Sequence, residues 1–350
     1  MKRLSYTGIP SPEVEKLLDE ALPRLAADIG SLPLPKLAGV VLGGGYGRGE
    51  GGVLRTAEGD KLYNDLDFFV FADGAGKDEL AKIDHALPKL AEPWEKRLGV
   101  AVDFGPAKNL SALKNVAHTL MFQELRHGWR PVWGDVDLDA LLPELPPEKL
   151  PFTEAVRLLL NRGMGLLLAG NELKRNGDAD FIMRNIHKAV LGGGDALLIA
   201  SGNYRWHGAE RVKAFREYAI ANGMPPEFAE SYAASYDYKL EPVPRLPVSP
   251  WTSWRQCRRF YLEAAGRVAG CHAPAAPDAL AAGLHRGARA ERSVKNLLRW
   301  LRHRGGPRPL CAAFDAPVVT VAGMLCKLLA ESEDCPACPE RLDRLWHKFN

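Results

Sequence analysis

The chain reads as an α+β protein, with a small mixed β-sheet flanked by helices in its N-terminal part and an all-helical C-terminal region. Three observations predict this. Short apolar runs at Leu37 to Leu42, Tyr63 to Phe71 and Gly99 to Phe104 have strand length and alternate with segments of helical periodicity. Four prolines fall between Leu142 and Pro151, which marks a domain edge. Beyond that edge the apolar residues recur at helical spacing and no convincing strand follows. The predicted domains are therefore 1–145 and 151–350, with a further subdivision left open at a second proline-rich joint, 241–250.

In chain order, Ser11 before Pro12 is a helix start, and Val14, Leu17, Leu18 and Ala21 give the helix an apolar stripe that Gly30 ends. Leu37 to Leu42 is the first buried strand. Residues 51–62 form a turn or small hairpin with Glu58, Gly59 and Asp60 at its tip. Tyr63 to Phe71 is the second strand, apolar enough after Asp67 to be buried on both faces. Lys77 to Leu90 is a helix with Leu80, Ile83, Leu87 and Leu90 on one stripe, and Gly99 to Phe104 is the third strand. A helix over Leu110 to Arg126 and a short strand over Arg130 to Trp133 complete the first domain. Later helices are expected at 153–175, capped by Thr153, and at 178–201, capped by Asp178. Further helices fit 209–221, 225–237, 252–269, 287–304 and 317–331, with Ala290, Val294, Leu297, Leu298 and Leu301 forming an apolar face in 287–304.

The composition, 46% hydrophobic and 25% charged over 350 residues, is that of an ordinary globular chain of two or three domains and excludes a disordered or fibrous one. A net charge of +3 names no partner, yet 245–308 holds thirteen Lys and Arg against three acids, Glu263, Asp278 and Glu291. That stretch is either a solvated face balanced by acids elsewhere or a surface for an anionic partner. No apolar run approaches the ~20 residues that cross a bilayer, and the N-terminal twenty residues lack the apolar core of a secretory signal. The expectation is a cytoplasmic protein with no membrane partner, whose six cysteines are reduced thiols.

The chemistry concentrates in VVLGGGYGRGE (40–50) and YNDLDFFVF (63–71). Residues two apart on a strand point to one face, so Asp65 and Asp67 place two carboxylates side by side. Close like charges repel unless a cation or proton sits between them, which makes the pair a candidate divalent-metal site facing a glycine-rich loop. Asp103, near the end of the third strand, brings a third carboxylate within reach of the pair if that strand is a neighbour.

Taken together, Gly44-Gly45, Asp65-Leu66-Asp67 and Val102-Asp103-Phe104 resemble the signature of the polymerase β type nucleotidyltransferase superfamily. That signature is a small-residue pair after the first strand, an Asp-apolar-Asp on the second and a single Asp between apolar residues on the third. GGYGRGE (44–50) and RPVWGD (130–135) look most like its antibiotic-modifying (aminoglycoside) branch. The resemblance covers roughly 38–135. The spacer between glycines and aspartates is longer here than in most of the superfamily, accommodating the 51–62 hairpin.

The resemblance implies a nucleotidyltransferase domain that moves a nucleoside monophosphate, most simply AMP from ATP, to a hydroxyl and releases pyrophosphate. It implies two Mg²⁺ ions about 3.5–4 Å apart. Asp65 and Asp67 would bridge them, while Asp103 would ligate the ion nearest the acceptor and help take its proton. Backbone N–H groups of Gly44 and Gly45 would cradle the phosphates. Arg48 is a nucleotide-binding candidate, with a structural pair to Glu50 as the equal alternative. The superfamily often lends a cation from its helical domain to the triphosphate, and here Lys188 and Arg184 are the candidates, followed by Asn161 and Arg162. Arg184, Lys188 and Asp195 also share a helix face, so ordinary salt bridges are the competing reading.

A small hydroxylated molecule is the first-choice acceptor, a protein side chain the second and an RNA end the third. A nucleotide-binding regulatory protein without catalysis is the reading from another class, and the presence of all three carboxylates counts against it. The CPAC at 335–338 lacks a second pair at zinc-finger spacing, although His347 lies near, and its metal binding is left open. The Gly45, Gly47, Gly49 run fails as a dinucleotide fingerprint, because the next strand opens with Asp-x-Asp in place of a lone ribose-binding acid.

Overall fold

The computed structural model describes residues 5–243, 249–271, 275–303, 305–307, 312–331 and 334–349. The chain is of the mixed α+β class, with a small mixed sheet and a helical C-terminal region. It divides into two compact units. The first runs up to Leu145 and adds Asp237–Pro242; the second holds Pro146–Tyr236 and the chain from Val243 onward.

In the first unit, α1 (Pro12–Gly30) opens with the Ser11 side chain accepting from the Val14 N–H, as the Ser-Pro pair predicts. β1 (Leu37–Leu42) leads into the short α2 (Gly44–Arg48), and β2 (Val53–Thr56) with β3 (Gly59–Leu62) forms the expected hairpin as a separate two-stranded sheet. β4 (Leu66–Ala72), α3 (Lys77–Leu98), β5 (Val102–Phe104), β6 (Lys108–Asn109), α4 (Leu120–Arg126), β7 (Arg130–Gly134) and α5 (Leu138–Leu141) follow. The main sheet runs β5-β4-β1-β7, with β6 also on β4. β1 is antiparallel to β4 and β7, while β5 and β6 are parallel to β4. Buried residues of alternate parity split between two cores. Leu66, Phe68 and Val70 pack with Val14, Leu18, Ile83 and Trp94 on one face. Phe71 packs with Leu113, Phe122 and Leu125 on the other. Full burial of each such side chain contributes roughly 1.5–3 kcal/mol.

Several boundaries differ from expectation. β4 begins at Leu66, so Asp65 precedes the strand, and β5 is only Val102–Phe104. α3 runs on to Leu98 through Pro88 and Pro93. Proline removes a helical donor and usually ends the pattern, but burying Ala91, Trp94 and Leu98 outweighs that cost here. The 110–126 helix is broken: Leu110–Asn115 is a 3₁₀ segment and only Leu120–Arg126 is α-helical.

The second unit contains α6 (Phe152–Lys174), α7 (Ala179–Ala200), α8 (Gly208–Ala221), α9 (Pro226–Leu240), α10 (Pro250–Val268), α11 (Pro277–Gly287), α12 (Val294–Arg302), α13 (Pro317–Glu331) and α14 (Glu340–Phe349), and the end of α9 groups with the first unit. Among the described residues it holds no named strand. Asp178 caps α7 through the Asp180 and Phe181 N–H groups, as predicted. The expected 287–304 helix is instead the end of α11, a 3₁₀ turn and the nine-residue α12. Its apolar face is not core: Val294, Leu298 and Leu301 are exposed, and Trp300 on the opposite side is buried against Phe349. Nine residues from a Ser293 cap give an amphipathic helix two sides, and one large indole decides which is buried.

Part of the basic stretch is balanced within the unit: Arg292 meets the fully buried Asp315, Arg267 meets Glu263 and Arg259 meets Glu227. Arg245, Arg304 and Arg308, and residues 244–248 of the 241–250 joint, lie outside the described residues. The described cysteines are free thiols, and Cys311 is outside that set. No described helix is long and apolar enough to cross a membrane.

Candidate active site

The site is built on two neighbouring strands. β4 and β5 pair in parallel with Asp67 opposite Asp103, and residues on one rung of a parallel ladder point to the same face about 4.8 Å apart. Asp65, two residues before Asp67, is also half-buried. Asp103 reaches solvent, yet the packing around its base and the negative charges of Asp65 and Glu95 raise its pKa above the ordinary aspartate value. The three aspartates predicted from sequence are therefore brought to one end of the sheet, within electrostatic reach of one another.

The glycine turn lies against the second of them. Gly44 has φ +59°, a left-handed conformation, and a Cβ there would collide with the Asp67 carboxylate. The Gly43 N–H donates to the Asp67 carbonyl at 2.8 Å, fixing turn to strand. Tyr46 locks the far side. Its hydroxyl donates to the Gly52 carbonyl at 2.7 Å and accepts from the Tyr63 N–H at 3.0 Å, while the Gly52 N–H donates to Asn64 Oδ1 at 2.7 Å. Burial pushes the Tyr46 phenol up to about 12, so it stays protonated as this double partner requires. α2 is only five residues, so any anion binding by Gly44 and Gly45 rests on the bareness of the turn and not on a macrodipole.

Arg48 is held by carboxylates: its guanidinium lies 3.4 Å from Glu124 and 3.8 Å from Glu50, the buried acid that also takes Lys239 at 2.9 Å. Of its two readings, the structure displays the pair with Glu50. In the second unit, Arg184 and Lys188 lie on α7, with Arg184 paired to Asp180 at 2.6 Å. Asp195 turns to Arg211 and accepts from the Tyr232 hydroxyl. Asn161 accepts from the Trp346 indole, and Arg162 packs its stem against Gly192. Of the CPAC pair, Cys335 is buried with its thiol directed at the Leu167 carbonyl and its pKa pushed up to about 11 by burial, while His347 pairs with Asp343.

A cleft of about 190 Å³ opens beside Asp67 and Asp103, where β5 and β6 leave a gap along β4. Phe69, Pro106, Lys108, Met121 and Phe122 are among its walls. None of these was singled out in the sequence. Phe69 and Phe122 read as core, and nothing local to Lys108 or Met121 signals that β6 and α4 bring them to the aspartates.

The donor set suits a hard divalent cation, because carboxylate oxygens are what Mg²⁺ takes. Among the described residues no group of three or more His, Cys, Asp and Glu side chains forms a ready-made metal cage. Mg²⁺ does not need one: it is commonly held by one or two carboxylates, completed by water and substrate phosphate oxygens. Asp67 and Asp103 on one rung, with Asp65 adding charge, fit that mode. No protein-family model, no curated protein and no solved structure matches the chain.

Proposed function

We propose that the first unit is a Mg²⁺-dependent nucleotidyltransferase domain of the polymerase β type, transferring a nucleoside monophosphate from a triphosphate, most simply ATP, to a hydroxyl acceptor. The observation that carries the reading is the shared rung of Asp67 and Asp103, with Asp65 two residues before and the bare Gly44 turn against Asp67.

When bound, Mg²⁺ supplies neutralisation of the triphosphate charge and acidification of the acceptor hydroxyl. Asp65 and Asp67 would hold it, with Asp103 on the acceptor side. The Gly43 to Gly45 turn packs directly on the Asp67 carboxylate, so a side chain at Gly44 would displace the group that would hold the metal. Asp103, made more basic than an ordinary aspartate by burial and by the charges of Asp65 and Glu95, takes the hydroxyl proton as the oxygen bonds to the α-phosphorus. The bond from that phosphorus to the pyrophosphate oxygen breaks in the same step, and the proton passes to solvent.

The test supplies α-labelled ATP, CTP, GTP and UTP with Mg²⁺ and a fractionated metabolite extract, and follows label transfer together with pyrophosphate release. Transfer that disappears in Asp65→Asn and Asp67→Asn supports the proposal. No metal-dependent transfer from any nucleotide, with nucleotide affinity unchanged in both variants, refutes it.

A further inference from the structure

The cleft beside the aspartates has a composition of its own. Its carboxylates, Asp67 and Asp103, stand at one end, and the remaining walls are mostly apolar: Phe69, Pro106, Met121 and Phe122. Phe69 and Phe122 meet edge to face with ring centroids 6.0 Å apart, so the wall is a fixed aromatic surface. Met121 is 51% exposed at the rim. A large apolar side chain left open beside an aromatic wall is a contact surface for another apolar group, and thioethers pack well on ring edges. Lys108 is the cation of the cleft; it lies half-buried in β6 opposite Phe71 and has no ion-pair partner among the described residues.

A polycationic acceptor needs acids along the whole of its pocket, and here the two carboxylates, Asp67 and Asp103, share the cleft with a lysine and with hydrocarbon walls. We propose that the cleft binds a ring-containing, largely apolar hydroxy acid. Its ring lies between Phe69 and Met121, its carboxylate meets Lys108 and its hydroxyl faces Asp103. The inference rests on the nucleotidyl-transfer reading only in naming this compound the acceptor. The volume of about 190 Å³ admits one substituted ring and excludes an oligosaccharide from the interior.

Binding is measured on the full chain without nucleotide or metal, by ligand-observed NMR with 4-hydroxybenzoate, 4-methylphenol and kanamycin as probes. The hydroxy acid is expected to bind about fivefold tighter than the phenol, with kanamycin unable to displace either, and Lys108→Gln to erase the preference. Met121→Asp, at an exposed position, is expected to weaken both aromatic probes about tenfold. Thermal melts of both variants confirm that they fold. Displacement by kanamycin, equal binding of the two aromatics to the wild-type chain, no binding of either, or binding insensitive to Met121→Asp each overturns the proposal. A chain that retains this selectivity but transfers no nucleotide leaves the cleft assignment standing and removes the acceptor label. Transfer to kanamycin in preference to hydroxy acids removes the assignment itself.

Discussion

Asp67 and Asp103 face each other across the parallel rung of β4 and β5, so two carboxylates of the chain lie about one strand spacing apart on the same side of the sheet. Burial and the negative charges of Asp65 and Glu95 make the ionised Asp103 costly to the fold at neutral pH, and that cost can be measured. Asp103 has a raised pKa, so its contribution to stability is fully present below the unfolded aspartate value and is lost as pH rises through its folded value. Asp103→Asn should therefore melt about 1–2 °C above wild type at pH 7 and no higher at pH 3; the gain is small because the side chain is exposed. Mg²⁺ should raise the wild-type melting temperature and leave that of Asp65→Asn/Asp67→Asn unchanged. Calorimetry at the two pH values, with and without Mg²⁺, checks all four expectations.

Gly44→Ala tests the turn. A left-handed φ of +59° costs an alanine about 1–2 kcal/mol, and the added methyl must push the Asp67 carboxylate away. Urea unfolding should show that loss, while Mg²⁺-dependent transfer should fall by at least about 10²-fold. A stable Gly44→Ala with full activity would separate Asp67 from the chemistry.

Tyr46→Phe tests the lock behind the turn. Without the hydroxyl, the Tyr63 N–H loses its acceptor and the Gly52 carbonyl loses a donor, both in buried surroundings. The expected destabilisation is about 1–3 kcal/mol by urea midpoint. With its phenol at about 12, Tyr46 stays neutral through pH 10, so any alkaline fall in activity should survive the substitution.

His187 on α7 predicts an acid response of the helical unit. Burial lowers its pKa from 6.5 to about 4, and Nδ1 lies 3.0 Å from the Ser235 hydroxyl. A depressed histidine contributes stability above its unfolded pKa and loses it as pH falls toward the folded value, so the window is pH 6.5 to 4. The wild type should lose up to roughly 2–3 kcal/mol across that window from this group. His187→Gln, which keeps a partner for Ser235, should show a correspondingly smaller drop in unfolding midpoint between the two pH values.

By itself the sequence determined what is local. Ser11-Pro12 and Asp178 set helix starts, and the 3.6-residue stripes set α1 and the first part of α3. These follow from backbone geometry within a few residues. The third aspartate could be named but not placed, because only the register of β4 on β5 sets Asp103 opposite Asp67, 36 positions away. Competition between local signals and burial escaped the sequence as well. Trp94 and Leu98 carry α3 past two prolines, and Trp300 turns α12 so that Val294, Leu298 and Leu301 face outward. Longest in range is Lys239, which reaches the buried Glu50 from the end of α9 and belongs with the first unit. A lysine in a polar helix looks like any other, and its ion pair exists only because tertiary packing closes a loop of 189 residues. The cleft is of the same kind: Phe69, Lys108 and Met121 come from three separate elements, and no periodicity relates them until the sheet and α4 are assembled.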